Sequence, residues 1–247
     1  MADETYEEGF YRRRDANTRA SAEAVASVME RFGPFRSVVD VGCGVGTWLD
    51  VFRAHGAVEV LGLEGEWVDP EDLVVPAGCF RHHDLTRPVA LDRRFDLVIS
   101  LEVAEHLPAS AAETFVESLA RLGPLVLFSA AVPFQGGLHH VNERWPEYWA
   151  ELFDRRGYAV ADPLRPRLWN DPQVLVWYAQ NALLYVDRAE LPDRPALAAA
   201  VEATDPRRLA VVHPRLYERN SDPEKLSLRT VARVLPTLVR NAVRRRV

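Results

Sequence analysis

Lysine is nearly missing from this chain. Of 30 basic residues only Lys225 is a lysine. That bias fits a bacterial genome rich in G and C rather than a functional choice. Cysteine is scarce too: Cys43 and Cys79 are the only two, which excludes a disulfide framework or a cysteine-rich metal cluster and suits a reducing cytoplasm. No apolar run approaches the ~18 residues of a membrane-spanning helix. An excess of positive charge is absent as well. The net charge of −6 gives no bulk attraction to nucleic acid. The start, M-A-D-E-T-Y-E-E, is acidic and reads as neither secretory signal nor transit peptide. Repeats and low-complexity tracts are missing. What remains is a chain of 247 residues, 48% hydrophobic and 27% charged, the composition of one large globular domain or of one domain with an appendage.

The chain is organised around S-V-V-D-V-G-C-G-V-G-T-W-L-D, Ser37 to Asp50. An apolar run leads into Asp40, then Gly42, Gly44 and Gly46 at every second position, then Thr47-Trp48-Leu49. This reads as a buried parallel strand, a tight turn and a helix start. Glycines there let backbone N–H groups approach a ligand closely. A dinucleotide site prefers G-x-G-x-x-G, and Thr47 stands where its third glycine would be.

D-V-G-C-G-V-G resembles the first motif of the class I S-adenosylmethionine-dependent methyltransferases. The resemblance covers roughly residues 20 to 187. It implies an α/β fold with a Rossmann-like, seven-stranded, mostly parallel sheet, an antiparallel last hairpin and helices on both faces. It also implies S-adenosylmethionine as cofactor, with S-adenosylhomocysteine as product and the glycine turn against the methionine part.

Other segments follow in order. Asn17 to Phe32 has helical spacing and ends at Gly33-Pro34. It can lie over a cofactor cleft, with Tyr11 before it as a candidate substrate contact, or simply pack. Ala57 to Leu63 reads as a second strand ending in Glu64, ~20 residues after the turn, where an acid can accept from both ribose hydroxyls of an adenosine. Cys79 to His83 reads as a third strand. In the family the acid after it accepts from the adenine amino group, which assigns Asp84, and the next backbone N–H, that of Leu85, meets a ring nitrogen. Arg94 to Leu101 reads as a fourth strand, and E-V-A-E-H-L-P follows. By resemblance Leu101 and Glu102 border the cofactor, while His106 suits packing or capping better than catalysis.

Ser110 to Leu122 reads as an amphipathic helix and Pro124 to Val132 as the fifth strand. The loop P-F-Q-G-G-L-H-H-V-N-E-R-W-P then concentrates polar groups at the end where parallel sheets bind ligands. A sugar or aliphatic hydroxyl needs a base to become a nucleophile, and imidazole titrates in the useful range. His140 is the preferred base and His139 the second candidate, with Glu143 or Asn142 orienting the ring or the acceptor. Trp145, Trp169 and Tyr178 are candidate substrate contacts. A divalent ion held by Glu102, Asp171 and the loop histidines is the rival mechanism, although no compact ligand spacing marks it. H-V-N-E-R-W-P-x-Y-W resembles bacterial methyltransferases of sugar, polysaccharide or secondary-metabolite pathways. O-methylation of a sugar hydroxyl or glycosylated metabolite is therefore expected. N-methylation of a small metabolite and a non-catalytic cofactor-binding subunit are the alternatives.

Glu143 to Arg156 reads as a helix, and Tyr158 to Ala161 and Val174 to Val186 as the last two strands. Asp162 to Gln173, with three prolines, reads as a stiff loop. A methyltransferase domain over 1–187 would then be followed by an irregular extension over 188–247. The extension ends in a basic amphipathic helix from Leu226 on, bent at Pro236, which can touch an anionic membrane surface or an acidic partner, or pack on its own chain. The sequence leaves an oligomer open.

Overall fold

Short apolar runs bounded by Gly, Pro and Asp become seven strands in a computed structural model that describes residues 8–222, 231, 232, 234–237, 239 and 240, with side chains from Asn17 onward. The strands are β1 (Ser37–Val41), β2 (Glu59–Glu64), β3 (Phe80–His82), β4 (Leu97–Leu101), β5 (Leu125–Ser129), β6 (Tyr158–Ala161) and β7 (Leu183–Asp187). Their order is β3-β2-β1-β4-β5-β7-β6. The first five run parallel, while β7 is antiparallel to both β5 and β6.

Because side chains alternate along a strand, a central sheet must bury both faces. Val38, Leu97, Ile99 and Leu127 point to one face, against helix α1 (Glu8–Met29) and helix α2 (Thr47–Ala54). Val39, Val98, Val126 and Phe128 point to the other, against α3 (Ala112–Leu122) and α4 (Pro146–Asp154). In α1 the fully buried stripe is Ala22, Val25, Ala26 and Met29. Arg19 and Asp50 form an ion pair at 2.9 Å, and His55 meets Glu30 at 2.7 Å and Glu23 at 2.8 Å, so α1 is tied to α2 by charge as well as by packing.

Three expectations need correction. Val174 to Val186 is not one strand, because Val176–Asn181 forms a short helix, α6, before β7. Within the Pro-rich connection Arg165–Leu168 forms a helical turn, α5. There Arg165 is buried and paired with Asp162 at 2.8 Å. Some of the described residues after Asp187 are helical rather than irregular. A 3-10 segment (Arg188–Asp193) leads to α7 (Pro195–Glu202), whose Leu197 is buried and which packs on β6. Ala-rich L-A-A-A-V-E after a proline at the first helical position accounts for α7.

Contacts divide the chain into two units, Met1–Val211 and Val212–Val247. In the second, α8 (Pro214–Ser221) is capped by His213, whose Nδ1 accepts from the Arg215 amide at 3.1 Å. The described residues from 231 to 240 are helical and expose Val231, Val234, Leu235 and Val239. The rest of the expected basic helix, 226–230, 233, 238 and 241–247, lies outside the described residues. Among the described residues no helix is long and apolar enough to cross a membrane.

Candidate active site

The carboxyl ends of β1, β2 and β4 meet where the strand order reverses around β1, the place where open α/β sheets bind ligands. The glycine turn is hung there from the neighbouring strand, with the Gly42 N–H donating to the Leu63 carbonyl at 2.8 Å. Its glycines serve different needs. Gly42 has φ +92° and a methyl there would lie 2.2 Å from the Val103 side chain, so packing alone requires glycine. Gly44 has φ +54°, yet a methyl there would meet no protein atom within 4 Å. It borders open space instead, as a ligand cradle must. Gly46 lies against Val75.

Glu64 ends β2 beneath this turn. Its Oε2 accepts from the Gly44 N–H and its Oε1 from the Gly65 N–H, both at 2.9 Å. Each oxygen keeps a second lone pair for a ligand hydroxyl. Burial raises its pKa, partly offset by those two bonds. Asp40, on β1, is 2% exposed and its Oδ2 has no hydrogen-bond partner. Burial holds its carboxyl well above the ordinary range, and the charge of Glu64 adds to that. A buried acid with one unpartnered oxygen, beside an open backbone cradle, fits a cationic ligand with a ribose, as S-adenosylmethionine is.

Asp84 is exposed at the tip after β3, and its Oδ1 accepts from Thr86 N–H at 3.0 Å and Thr86 Oγ at 2.6 Å. Those bonds, followed by nearby Arg87, hold its pKa below the ordinary value. Leu85 is buried next to it, and His82 Nδ1 meets the Gly65 carbonyl at 3.2 Å. On the other side Leu101 ends β4, and Glu102 follows at φ +56°. Its carboxylate accepts from Gln135 Nε2 at 2.9 Å and Asn181 Nδ2 at 3.0 Å, and Gln180 and Asn181 bond in turn to Gln135 Oε1. Sequence reasoning missed this buried amide set, because read as a strand 174–186 would send Gln180 and Asn181 to opposite faces. The helical turn of α6 brings both to Gln135, and Asn181 to Glu102 as well.

The loop after β5 is anchored to the turn after β4. The Glu105 carbonyl accepts from Val141 N–H at 2.8 Å and Asn142 N–H at 3.0 Å. His140 Nδ1 lies 3.0 Å from Glu143 Oε1. Glu143 is itself held by the Phe134 amide at 2.8 Å and the Gly136 amide at 3.0 Å. In the tautomer whose Nδ1–H donates to Glu143, the lone pair is on Nε2, which stands 4.0 Å from Glu105 Oε1. The His106 ring meets His140 edge-on, centroids 4.8 Å apart. His140 and Glu143 are thus in contact, and His106 and Glu105 lie beside them. His139, at φ +60°, is exposed and outside this group.

Asn142 is buried and takes the Arg144 Nε–H on its Oδ1 at 3.0 Å, which leaves its Nδ2 unpartnered. Trp145 is partly exposed before α4 and Trp169 is half-buried after α5. Tyr178 is buried on α6, edge-on to Trp48 beside the glycine turn, with ring centroids 5.1 Å apart. Tyr11 lies on α1, with its side chain outside the described residues. Asp171 Oδ1 accepts from the Gln173 amide at 2.8 Å, a local turn, and no contact brings Asp171 to the histidines.

Residues 11–164 match the family model of a methyltransferase domain. The chain belongs to that family and is a class I S-adenosylmethionine-dependent methyltransferase. No curated protein matches it in sequence. Among solved structures it is similar to CalS10 of Micromonospora echinaspora, an amino pentose methyltransferase solved with S-adenosylmethionine, at 16% identity and TM-score 0.52 over 76% of this chain and 100% of that one. It is also similar to the magnesium protoporphyrin IX methyltransferase ChlM of Synechocystis with bound S-adenosylhomocysteine, at 19% identity and TM-score 0.51, covering 75% of this chain and 90% of ChlM. A match to DesVI of Streptomyces venezuelae has 24% identity and TM-score 0.42, and covers 52% of this chain and only 57% of DesVI.

Proposed function

We propose that this methyltransferase acts on a hydroxyl of a small polar acceptor, a sugar or glycosylated metabolite first among them. The carrying observation is the His140–Glu143 pair, 3.0 Å apart, on the loop that follows β5 on the carboxyl side of the sheet. The bound donor supplies an electrophilic methyl on a sulfonium. In this reading the Gly42–Gly46 turn lies along its methionine part, Glu64 accepts from the ribose, and Asp84 and the Leu85 amide meet the adenine. Leu101 and Glu102 border the sulfonium, and Asp40 offers the free carboxylate beneath the turn.

The acceptor enters past Trp145 and Phe134, which are 40% and 88% exposed and offer flat apolar faces to a sugar ring. As its oxygen attacks, its proton passes to His140 Nε2. Glu143 keeps the ring in the right tautomer and stabilises the imidazolium. Glu102, held by two amides, contributes a fixed carboxylate and makes no proton transfer.

CalS10, by its description, acts on an amino pentose, and this sets the first acceptors to try. The test is methyl incorporation from labelled donor across sugars, glycosides, amino sugars and small phenols. Label on oxygen supports the reading. Label only on nitrogen moves the acceptor to an amine, and donor binding without transfer to any compound favours a non-catalytic binding subunit.

A further inference from the structure

The turn after β4 holds a carboxylate that the reading above leaves idle. Glu105 is 0% exposed, and neither of its side-chain oxygens has a hydrogen-bond partner. Its own amide and that of Ala131 lie near enough to favour the charged form without completing a bond. An ionised carboxylate placed so, without an opposite charge, is among the most expensive groups a protein can bury. Two imidazoles surround it. One ligand atom from each of Glu105, His106 and His140 lies within 4.8 Å of the others. Ligands at about 2.1 Å from one tetrahedral ion sit about 3.4 Å apart, so side-chain shifts of up to about 1.4 Å close the set.

We propose that Glu105, His106 and His140 bind one divalent transition-metal ion, with open coordination positions on the acceptor side. Two imidazoles and one carboxylate suit Mn²⁺, Co²⁺, Fe²⁺ or Zn²⁺ better than Ca²⁺ or Mg²⁺. The surroundings match such a centre. Glu143 takes the far nitrogen of His140 at 3.0 Å, the carboxylate–histidine arrangement that orients metal ligands, and is itself fixed by two amides. Glu105 is locked at its backbone by the Val141 and Asn142 amides, which brings the loop histidine to the β4 turn. The nearby carboxylate of Glu102 adds negative charge that a cation offsets; without one, burial first and Glu102 second hold Glu105 well above the ordinary carboxylate range.

The ion's part rests on the reading that the acceptor is a hydroxyl near this cluster. Bound to the ion, the hydroxyl ionises more readily and its proton passes to water. An oxygen lone pair forms the new bond to the methyl carbon, and the carbon–sulfur pair stays on sulfur as a neutral thioether. An ion on Nε2 takes the lone pair that imidazole would use as base, so the two activations exclude one another in one molecule.

The site is tested without any acceptor. The chelator-treated full chain is titrated calorimetrically with Mn²⁺ and Co²⁺, and the Co²⁺ absorption spectrum is recorded. One ion per chain is expected, with affinity reduced about tenfold or more in His106→Ala and Glu105→Gln and in the orienting variant Glu143→Gln. His106 is exposed, so its variant is expected to fold even if Glu105→Gln does not; circular dichroism and S-adenosylhomocysteine binding check both. No binding by the wild type at about 1 mM ion, in the range of the weakest specific affinities, would overturn the site. Unchanged binding in His106→Ala would overturn it too. Once an acceptor is found, transfer that stops with chelator and returns with Mn²⁺ or Co²⁺ supports the ion's role. Full transfer in chelator overturns that role and leaves the imidazole base standing.

Discussion

Replacing Glu64 tests the cofactor site at its most loaded residue. Each carboxylate oxygen already accepts one backbone N–H at 2.9 Å, from Gly44 and Gly65, and has one lone pair left. Two ribose hydroxyls would fill those two positions. A hydrogen bond to a charged group contributes about 1.5–3 kcal/mol, and some of that is recovered by water in the variant. Glu64→Ala should therefore weaken S-adenosylhomocysteine binding by about 2–3 kcal/mol, a rise of about 30- to 140-fold in Kd. Glu64→Gln should come close to the same loss, because an amide nitrogen would face one of the two backbone donors. Isothermal calorimetry measures both variants, and thermal denaturation separates a lost ligand contact from a loosened turn. A pH series adds a second check. Burial raises the Glu64 pKa, so the affinity should begin to fall, as pH is lowered, above the range of an ordinary glutamate. Unchanged affinity in a folded Glu64→Ala protein would refute the ribose assignment.

The glycines should separate. Gly42→Ala, with its methyl 2.2 Å from Val103, should destabilise the fold, whereas Gly44→Ala, with no protein atom within 4 Å, should fold at a cost of about 1 kcal/mol yet lose donor affinity, as melting curves and calorimetry would show. If imidazole is the base, His140→Ala should slow methyl transfer by about 10²–10⁴-fold while S-adenosylhomocysteine affinity stays as in the wild type; near-normal turnover would remove His140 from the chemistry. His55 has its pKa raised above the ordinary 6.5, chiefly by the hydrogen bond to Glu23. Its stabilisation of the α1–α2 pair is thus complete below the unfolded value and lost as pH rises through the folded one, so His55→Ala should lower Tm more at about pH 5.5 than at about pH 8.5. Deleting residues 244–247 should leave transfer intact, because the sheet ends at Asp187.

What could be read in advance follows from what is local. Strand β1 and the glycine turn are consecutive, and Glu64 ends the very next strand, so each is constrained by local backbone geometry. The run from Val174 to Val186 misled because its Val, Trp, Tyr and Leu residues suit a strand as well as a buried helical turn. The choice there is made by distant groups, Glu102 and Gln135, which only the fold brings to Gln180 and Asn181. Glu105 was illegible for the same reason. It is one acid among 36, and its isolation depends on the loop 139–144 closing over it. His139 and His140 are neighbours in sequence, and the left-handed turn at His139 sends one outward while the other meets Glu143.

The most direct test is a crystal structure of the full chain with S-adenosylhomocysteine. The account expects the ribose on Glu64, the methionine part along Gly42–Gly46, and the sulfur facing the side where His140 meets Glu105. An acceptor oxygen about 3 Å from the methyl position would then also reach the His140 nitrogen or an ion bound to it. A sulfur turned away from His140, or walled off from it by the Glu102 network, would contradict the account.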